Sequence, residues 1–123
     1  MNILIVDDEA TALRDLSRVM RKTVPEAEIF TARDSDTALE VCKEKSIDVV
    51  FLDIQMPDMD GYEATAAIRA MKEQGHADIP ILAMTANAFK EDVEASRAAG
   101  MQAHIAKPID VNTLMNTLRS VLQ

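Results

Sequence analysis

The chain has 123 residues, of which 48% are apolar and 28% charged, the balance of one globular domain of ordinary size. Lys and Arg total 13 against 21 Asp and Glu, a formal net charge of −8, which argues against a surface built to hold nucleic-acid phosphates. No apolar run approaches the roughly 20 residues of a membrane-spanning helix and no signal-peptide pattern is visible, while the single cysteine, Cys42, excludes an internal disulfide or a Cys-based zinc site, so the expected setting is cytoplasmic.

Short apolar runs alternate with longer amphipathic stretches. Asn2 to Val6 reads as a buried strand, and Ala10 to about Lys22 as a helix with Leu13, Leu16 and Met20 at helical spacing. Glu28 to Thr31 is a second short strand. Ser35 to Lys45 follows as a helix, capped by Asp34 or Ser35, with Leu39 and Cys42 facing inward. Ile47 to Leu52 is the most strongly β-like run. A Pro- and Gly-marked loop, Met56 to Gly61, leads into a helix from Tyr62 to Lys72.

Ile79 to Met84 is the fourth strand, with Pro80 early in it, where a missing N–H is tolerated. A polar, weakly amphipathic helix runs from Glu91 to Ala99 and stops at Gly100. Gln102 to Ala106 is the fifth strand. Asp110 caps a last helix carrying Val111, Leu114, Leu118 and Val121. Five strand–helix units with no leftover segment predict an α/β fold, a doubly wound parallel sheet with helices on both faces. One domain spanning 1–123 is expected.

In such a fold ligands gather at the carboxyl ends of the strands. Asp7, Asp8 and Glu9 follow the first strand, Asp53 the third, Thr85 the fourth, and Lys107 with Pro108 the fifth. The second strand ends on Thr31 and Ala32, which are uninformative. Each residue alone has an ordinary explanation: an Asp caps a helix or sits in a turn, and a Lys is a surface charge. The set is harder to dismiss, because three carboxylates, a hydroxyl and an ammonium converge on one edge.

Asp7, Asp8 and Asp53 cannot sit together ionised without a counter-charge, and a hard divalent cation such as Mg²⁺ supplies one. Asp53 ends the most buried strand and is the best nucleophile candidate; a carboxylate attacking phosphorus gives an acyl phosphate. Thr85 can hydrogen-bond a phosphoryl oxygen, Lys107 can add a positive contact, and the backbone carbonyl of Gln55 can serve the metal. A cis Lys107–Pro108 bond would aim the lysine inward; the trans bond is the statistical default.

These residues closely match a family. Ile-Leu-Ile-Val-Asp7-Asp8-Glu9, Val-Val-Phe-Leu-Asp53-Ile-Gln-Met-Pro57-Asp-Met-Asp-Gly61, Ala-Met-Thr85-Ala and Ala-Lys107-Pro108 resemble, in order and spacing, the receiver domain of two-component response regulators. The resemblance covers the whole chain. It implies a flavodoxin-like (βα)5 three-layer sandwich with strand order 2-1-3-4-5. It implies Asp53 as phosphoacceptor, taking a phosphoryl group from a histidine of a sensor kinase or phosphotransfer domain. Asp8 and Asp53 would bind Mg²⁺ directly with the Gln55 carbonyl, and Asp7 through water. Thr85 and Lys107 would sense the phosphoryl group.

The family's aromatic switch position is His104 here. A histidine ring can still turn between buried and exposed states, and a half-buried histidine with no switching role is the equal alternative. Phosphorylation would move Thr85, the following loop Ala86 to Phe89 and the helix from Glu91. It would thereby switch the surface formed by that helix, the fifth strand and the last helix. Such a protein is a signalling phosphoacceptor rather than an enzyme with an external substrate. Its output is expected in another domain or protein, and phosphorylation-dependent dimerisation is left open.

Three other readings are distinguishable. An aspartyl-nucleophile phosphatase would place a second Asp two residues after the nucleophile, where Gln55 stands. A pseudo-receiver acting only as a docking module would not need the full set of Asp7, Asp8, Asp53, Thr85 and Lys107. Dinucleotide binding fails because no glycine follows the first strand.

Overall fold

In the computed structural model the described residues are 1–53, 61–70, 79–85, 103–106 and 110–121. The strands are β1 (Asn2–Val6), β2 (Glu28–Ala32), β3 (Val49–Asp53), β4 (Ile81–Thr85) and β5 (Ala103–Ala106). Between them lie helices α1 (Ala10–Thr23), α2 (Ser35–Glu44) and α3 (Gly61–Arg69), and a C-terminal helix covers Val111–Val121. The helix expected over Glu91 to Ala99 lies outside the described residues, as do the end of the third predicted helix and the loop from Met56 to Asp60.

All strand pairs are parallel, and the sheet runs β2-β1-β3-β4-β5. Alternation along each strand sorts the core into two layers. Leu4, Val6, Val50, Leu52, Ile81 and Ala83 face one side, where Ala38 and Cys42 of α2 and Ala64 and Ile68 of α3 cover them. Ile3, Ile5, Val49, Phe51, Leu82, Met84 and Ile105 face the other, under Leu13, Leu16 and Met20 of α1 and Leu114 and Leu118 of the C-terminal helix. A strand buried on both faces must be apolar at every position, and β3 meets this at all but its last residue. The edge strand β2, open on one side, alternates less strictly and leaves Glu28 and Thr31 exposed.

Local chemistry sets the boundaries. The Asp34 side chain accepts the Thr37 backbone N–H at 2.7 Å, so Asp34 rather than Ser35 is the cap of α2. That bond to Thr37 holds the Asp34 carboxyl below its ordinary range. Asp110 caps the C-terminal helix in the same way, accepting from the Thr113 N–H at 3.0 Å. At α1 the cap residue is Glu9 with no side-chain cap bond, so neither Asp7 nor Asp8 caps that helix. Buried Ser17 satisfies its hydroxyl on the Leu13 carbonyl one turn back, at 2.7 Å.

Several strand edges differ from the sequence expectation, most of all those of the third and fourth strands. The third strand begins at Val49 rather than Ile47 and takes in Asp53; Ile47 is buried, but in the turn that enters the strand. The fourth begins at Ile81 and takes in Thr85. Pro80 thus precedes it, and its carbonyl accepts the Val50 N–H at 3.0 Å, extending the β3–β4 ladder without needing a proline donor. The Arg69 guanidinium donates to the Ile79 carbonyl and ties the end of α3 to the entrance of β4.

Candidate functional site

The strand order reverses direction at β1. The chain steps outward from β1 to β2, then crosses back to place β3 on β1's other side. Helices therefore leave the ends of β1 and β3 on opposite faces, and a crevice opens at their carboxyl termini. The last aligned pair there is Val6 with Leu52, so Asp7 and Asp53 come next, side by side on adjacent strands. Both belong to the odd-numbered series that faces α1 and the C-terminal helix.

Both are nearly enclosed: Asp7 is 2% and Asp53 5% exposed. Asp8, the next residue along, is half-buried. One carboxylate oxygen from each of the three lies within 4.8 Å of the others. At that separation two ionised carboxylates repel by about 3.5 kcal/mol at an effective dielectric of about 20. Three oxygen donors of one sign, converging at the rim of a sheet, suit a hard divalent cation that keeps part of its water shell. Among the described residues, this cluster contains no nitrogen or sulfur ligand that would favour a softer metal.

Asp7 is further fixed by its backbone. Its N–H donates to the Ala32 carbonyl at 3.1 Å, one step beyond the β1–β2 ladder, and its Oδ1 accepts the Glu9 N–H at 3.0 Å. On the other flank Met84 pairs with Asp53, which places Thr85 one residue further out on β4, and Thr85 pairs with Ala106 on β5. The fold thus brings Asp7, Asp8 and Asp53 together and sets the Thr85 backbone at the same edge. His104 lies on β5, paired with Ala83. Gln55, Lys107 and Pro108 lie outside the described residues.

Sequence reasoning passed over one residue here. Arg33, immediately after β2, donates from Nη2 at 3.1 Å and from Nε at 3.4 Å to the backbone carbonyl of Asp8. Its only sequence signal is a cation in first place after a strand whose end otherwise carries nothing of note. Cys42 is uninvolved: it is buried under α2, and burial pushes its thiol up to about 11, far from thiolate reactivity at neutral pH.

A family model described as the response regulator receiver domain matches residues 3–119. The chain belongs to that family. The polar-differentiation response regulator DivK of Brucella ovis is 33% identical over 124 residues, which cover 98% of this chain and 95% of that protein. The receiver domain of the sensor histidine kinase PA1611 from Pseudomonas aeruginosa superposes with a TM-score of 0.85 at 29% identity, covering 98% of this chain and 96% of that one. That structure holds a magnesium ion coordinated in its active-site cleft. The receiver domain of Saccharomyces cerevisiae Ssk1, solved with the histidine phosphotransfer protein Ypd1, superposes with a TM-score of 0.86 at 25% identity, covering 98% and 88%. Among the described residues no helix is long and apolar enough to cross a membrane.

Proposed function

We propose that this receiver domain accepts a phosphoryl group on Asp53, from a histidine of a sensor kinase or phosphotransfer protein, with Mg²⁺ held by Asp7, Asp8 and Asp53. The observation that carries the reading is the convergence of those three carboxylates within 4.8 Å at the ends of β1 and β3. The magnesium in the PA1611 receiver and the phosphotransfer partner of the Ssk1 receiver support the cation and the donor class.

In the transfer, an Asp53 carboxylate oxygen attacks the phosphorus of the phosphohistidine. An O–P bond forms, the P–N bond breaks, and the imidazole leaves with the electron pair and takes up a proton. Bound Mg²⁺ would neutralise charge on the transferring phosphoryl oxygens. Because Asp53 is the last residue of a buried strand, its carboxylate is presented in a fixed orientation, and little ordering is required at the moment of attack. Asp8, with its half-buried side chain, and the Gln55 carbonyl would join Asp53 in holding the ion, and Asp7 would support it through a water.

Thr85 and Lys107 receive the new phosphoryl oxygens, one through a hydroxyl and the other through an ammonium. The response passes to His104 on β5 and to the C-terminal helix. If His104 switches, its ring shifts in NMR spectra change on phosphorylation; unchanged shifts would remove it from the mechanism. The domain catalyses only its own phosphorylation and dephosphorylation.

The test is incubation with acetyl phosphate, with and without Mg²⁺, read by intact mass. Wild type should gain one phosphoryl group only with metal, and Asp53→Asn none. A gain that is independent of Mg²⁺, or that survives the substitution, would overturn the site. Steady release of phosphate from a phosphomonoester would favour a phosphatase instead.

A further inference from the structure

We propose that Arg33 is a positioning residue for the acidic site: its guanidinium clamps the backbone that carries Asp7 and Asp8 and thereby sets the affinity of the site for Mg²⁺. This rests on the reading that those carboxylates hold the cation.

The geometry is a double staple between two corners of the fold. Ala32, the last residue of β2, accepts the Asp7 N–H at 3.1 Å. The next residue, Arg33, directs two guanidinium donors, at 3.1 and 3.4 Å, onto the carbonyl oxygen of Asp8. Consecutive residues of the β2–α2 corner thus hold consecutive residues of the β1–α1 corner, 25 positions away in sequence. Asp7 closes the corner from within by accepting the Glu9 N–H. The carboxylates therefore hang from a backbone fixed before any cation arrives, and a cation meeting a held loop need not spend affinity on ordering it.

Arg33 is exposed, so its removal leaves no buried group stranded. It carries a positive charge beside a cluster that must attract one, and by charge alone it would weaken cation binding. The clamp and the charge act with opposite sign, so they are separable. Lys keeps the charge, but its point-like ammonium cannot offer the planar two-donor fork. Met keeps the stem and loses both.

The experiment uses purified, unphosphorylated wild type, Arg33→Lys and Arg33→Met. Calorimetric titration with MgCl₂ should show Arg33→Lys binding roughly tenfold more weakly, a typical loss when the outer support of a metal ligand is removed, and Arg33→Met binding more weakly than wild type but by less, since it also sheds the opposing charge. In the metal-free proteins, amide hydrogen exchange at Glu9 and Ala10 should speed up in both variants, and the Asp8 carbonyl ¹³C shift should move. If Arg33→Lys matches wild type and Arg33→Met binds Mg²⁺ more tightly, Arg33 acts only as a charge and the clamp is overturned. Unchanged exchange and carbonyl shift would overturn it as well. Should wild type itself bind no Mg²⁺, the cation reading fails and with it the claimed effect on affinity. The metal-free exchange then reports separately whether the clamp exists.

Discussion

Where β1 and β3 begin, the Asp48 carboxylate accepts the Asn2 backbone N–H at 2.7 Å, and the Asn2 side chain donates to the Ser46 carbonyl at 2.9 Å. Where the same two strands end, Asp7 and Asp53 are buried side by side with Asp8 across from them, three carboxylates within 4.8 Å. One residue type serves two purposes a strand length apart. At the entry a donor meets each acceptor and the carboxylate ties the chain together in water. At the exit three like charges crowd one buried rim, with the Glu9 N–H donating to Asp7, and their mutual repulsion is what a cation would relieve. An acidic residue is thus read by what faces it rather than by its type.

The sharpest way to break that contrast is to remove one charge from each end. Asp8→Asn should stabilise the metal-free protein by about 1–2 kcal/mol, since it relieves repulsion at a half-buried position. Thermal unfolding without Mg²⁺ should then show a midpoint several degrees higher. Adding Mg²⁺ should raise the wild-type midpoint and move the variant far less, because only a state that binds the ion is stabilised by it. A lower metal-free midpoint for Asp8→Asn would mean that the exit carboxylates are already satisfied.

Asp48→Ala should do the opposite. It leaves the Asn2 N–H without its carboxylate and should cost about 1 kcal/mol, equally with and without Mg²⁺. A Mg²⁺-dependent loss in a denaturant titration would couple the two ends and undo the distinction.

Much of this was legible in the residues. Five apolar runs separated by amphipathic stretches were enough for a parallel α/β sheet, because a strand covered on both faces has no polar positions to spare. Asp7, Asp8 and Asp53 could be grouped because the carboxyl ends of parallel strands share one edge. The strand edges were less legible. Burial takes in Ile47 as readily as the strand residues, while hydrogen bonding begins at Val49. Asp53 and Thr85 look like loop residues by polarity yet end their strands. Pro80 reads as a tolerated intruder in β4 but serves as an acceptor just before it. Arg33 was invisible for a different reason: its partner is a backbone carbonyl, which has no sequence signature.

The smallest effects belong to the helix caps, which carry carboxylates satisfied like Asp48. Asp110→Ala should cost about 1 kcal/mol by equilibrium unfolding and leave Mg²⁺ binding unchanged. At Asp34 the folded carboxyl lies below its ordinary value of 3.8, held by the Thr37 N–H. Its contribution is therefore present above pH 3.8 and fades as the pH falls through the lower folded value. Comparing acid unfolding of wild type and Asp34→Asn checks this: the curves should converge at the acid end, and a gap that widened there would contradict it.

The central claim is that the crowded end of the sheet is a phosphoacceptor and that Asp53 is the residue that accepts. An acyl phosphate is reduced by borohydride to an alcohol, which converts a phosphorylated aspartate into homoserine. Treating the protein with acetyl phosphate and Mg²⁺, reducing it, and mapping peptides by mass spectrometry should place homoserine at position 53 alone. Homoserine at position 7, 8 or 48, or none anywhere after a measured phosphoryl gain, would contradict the account.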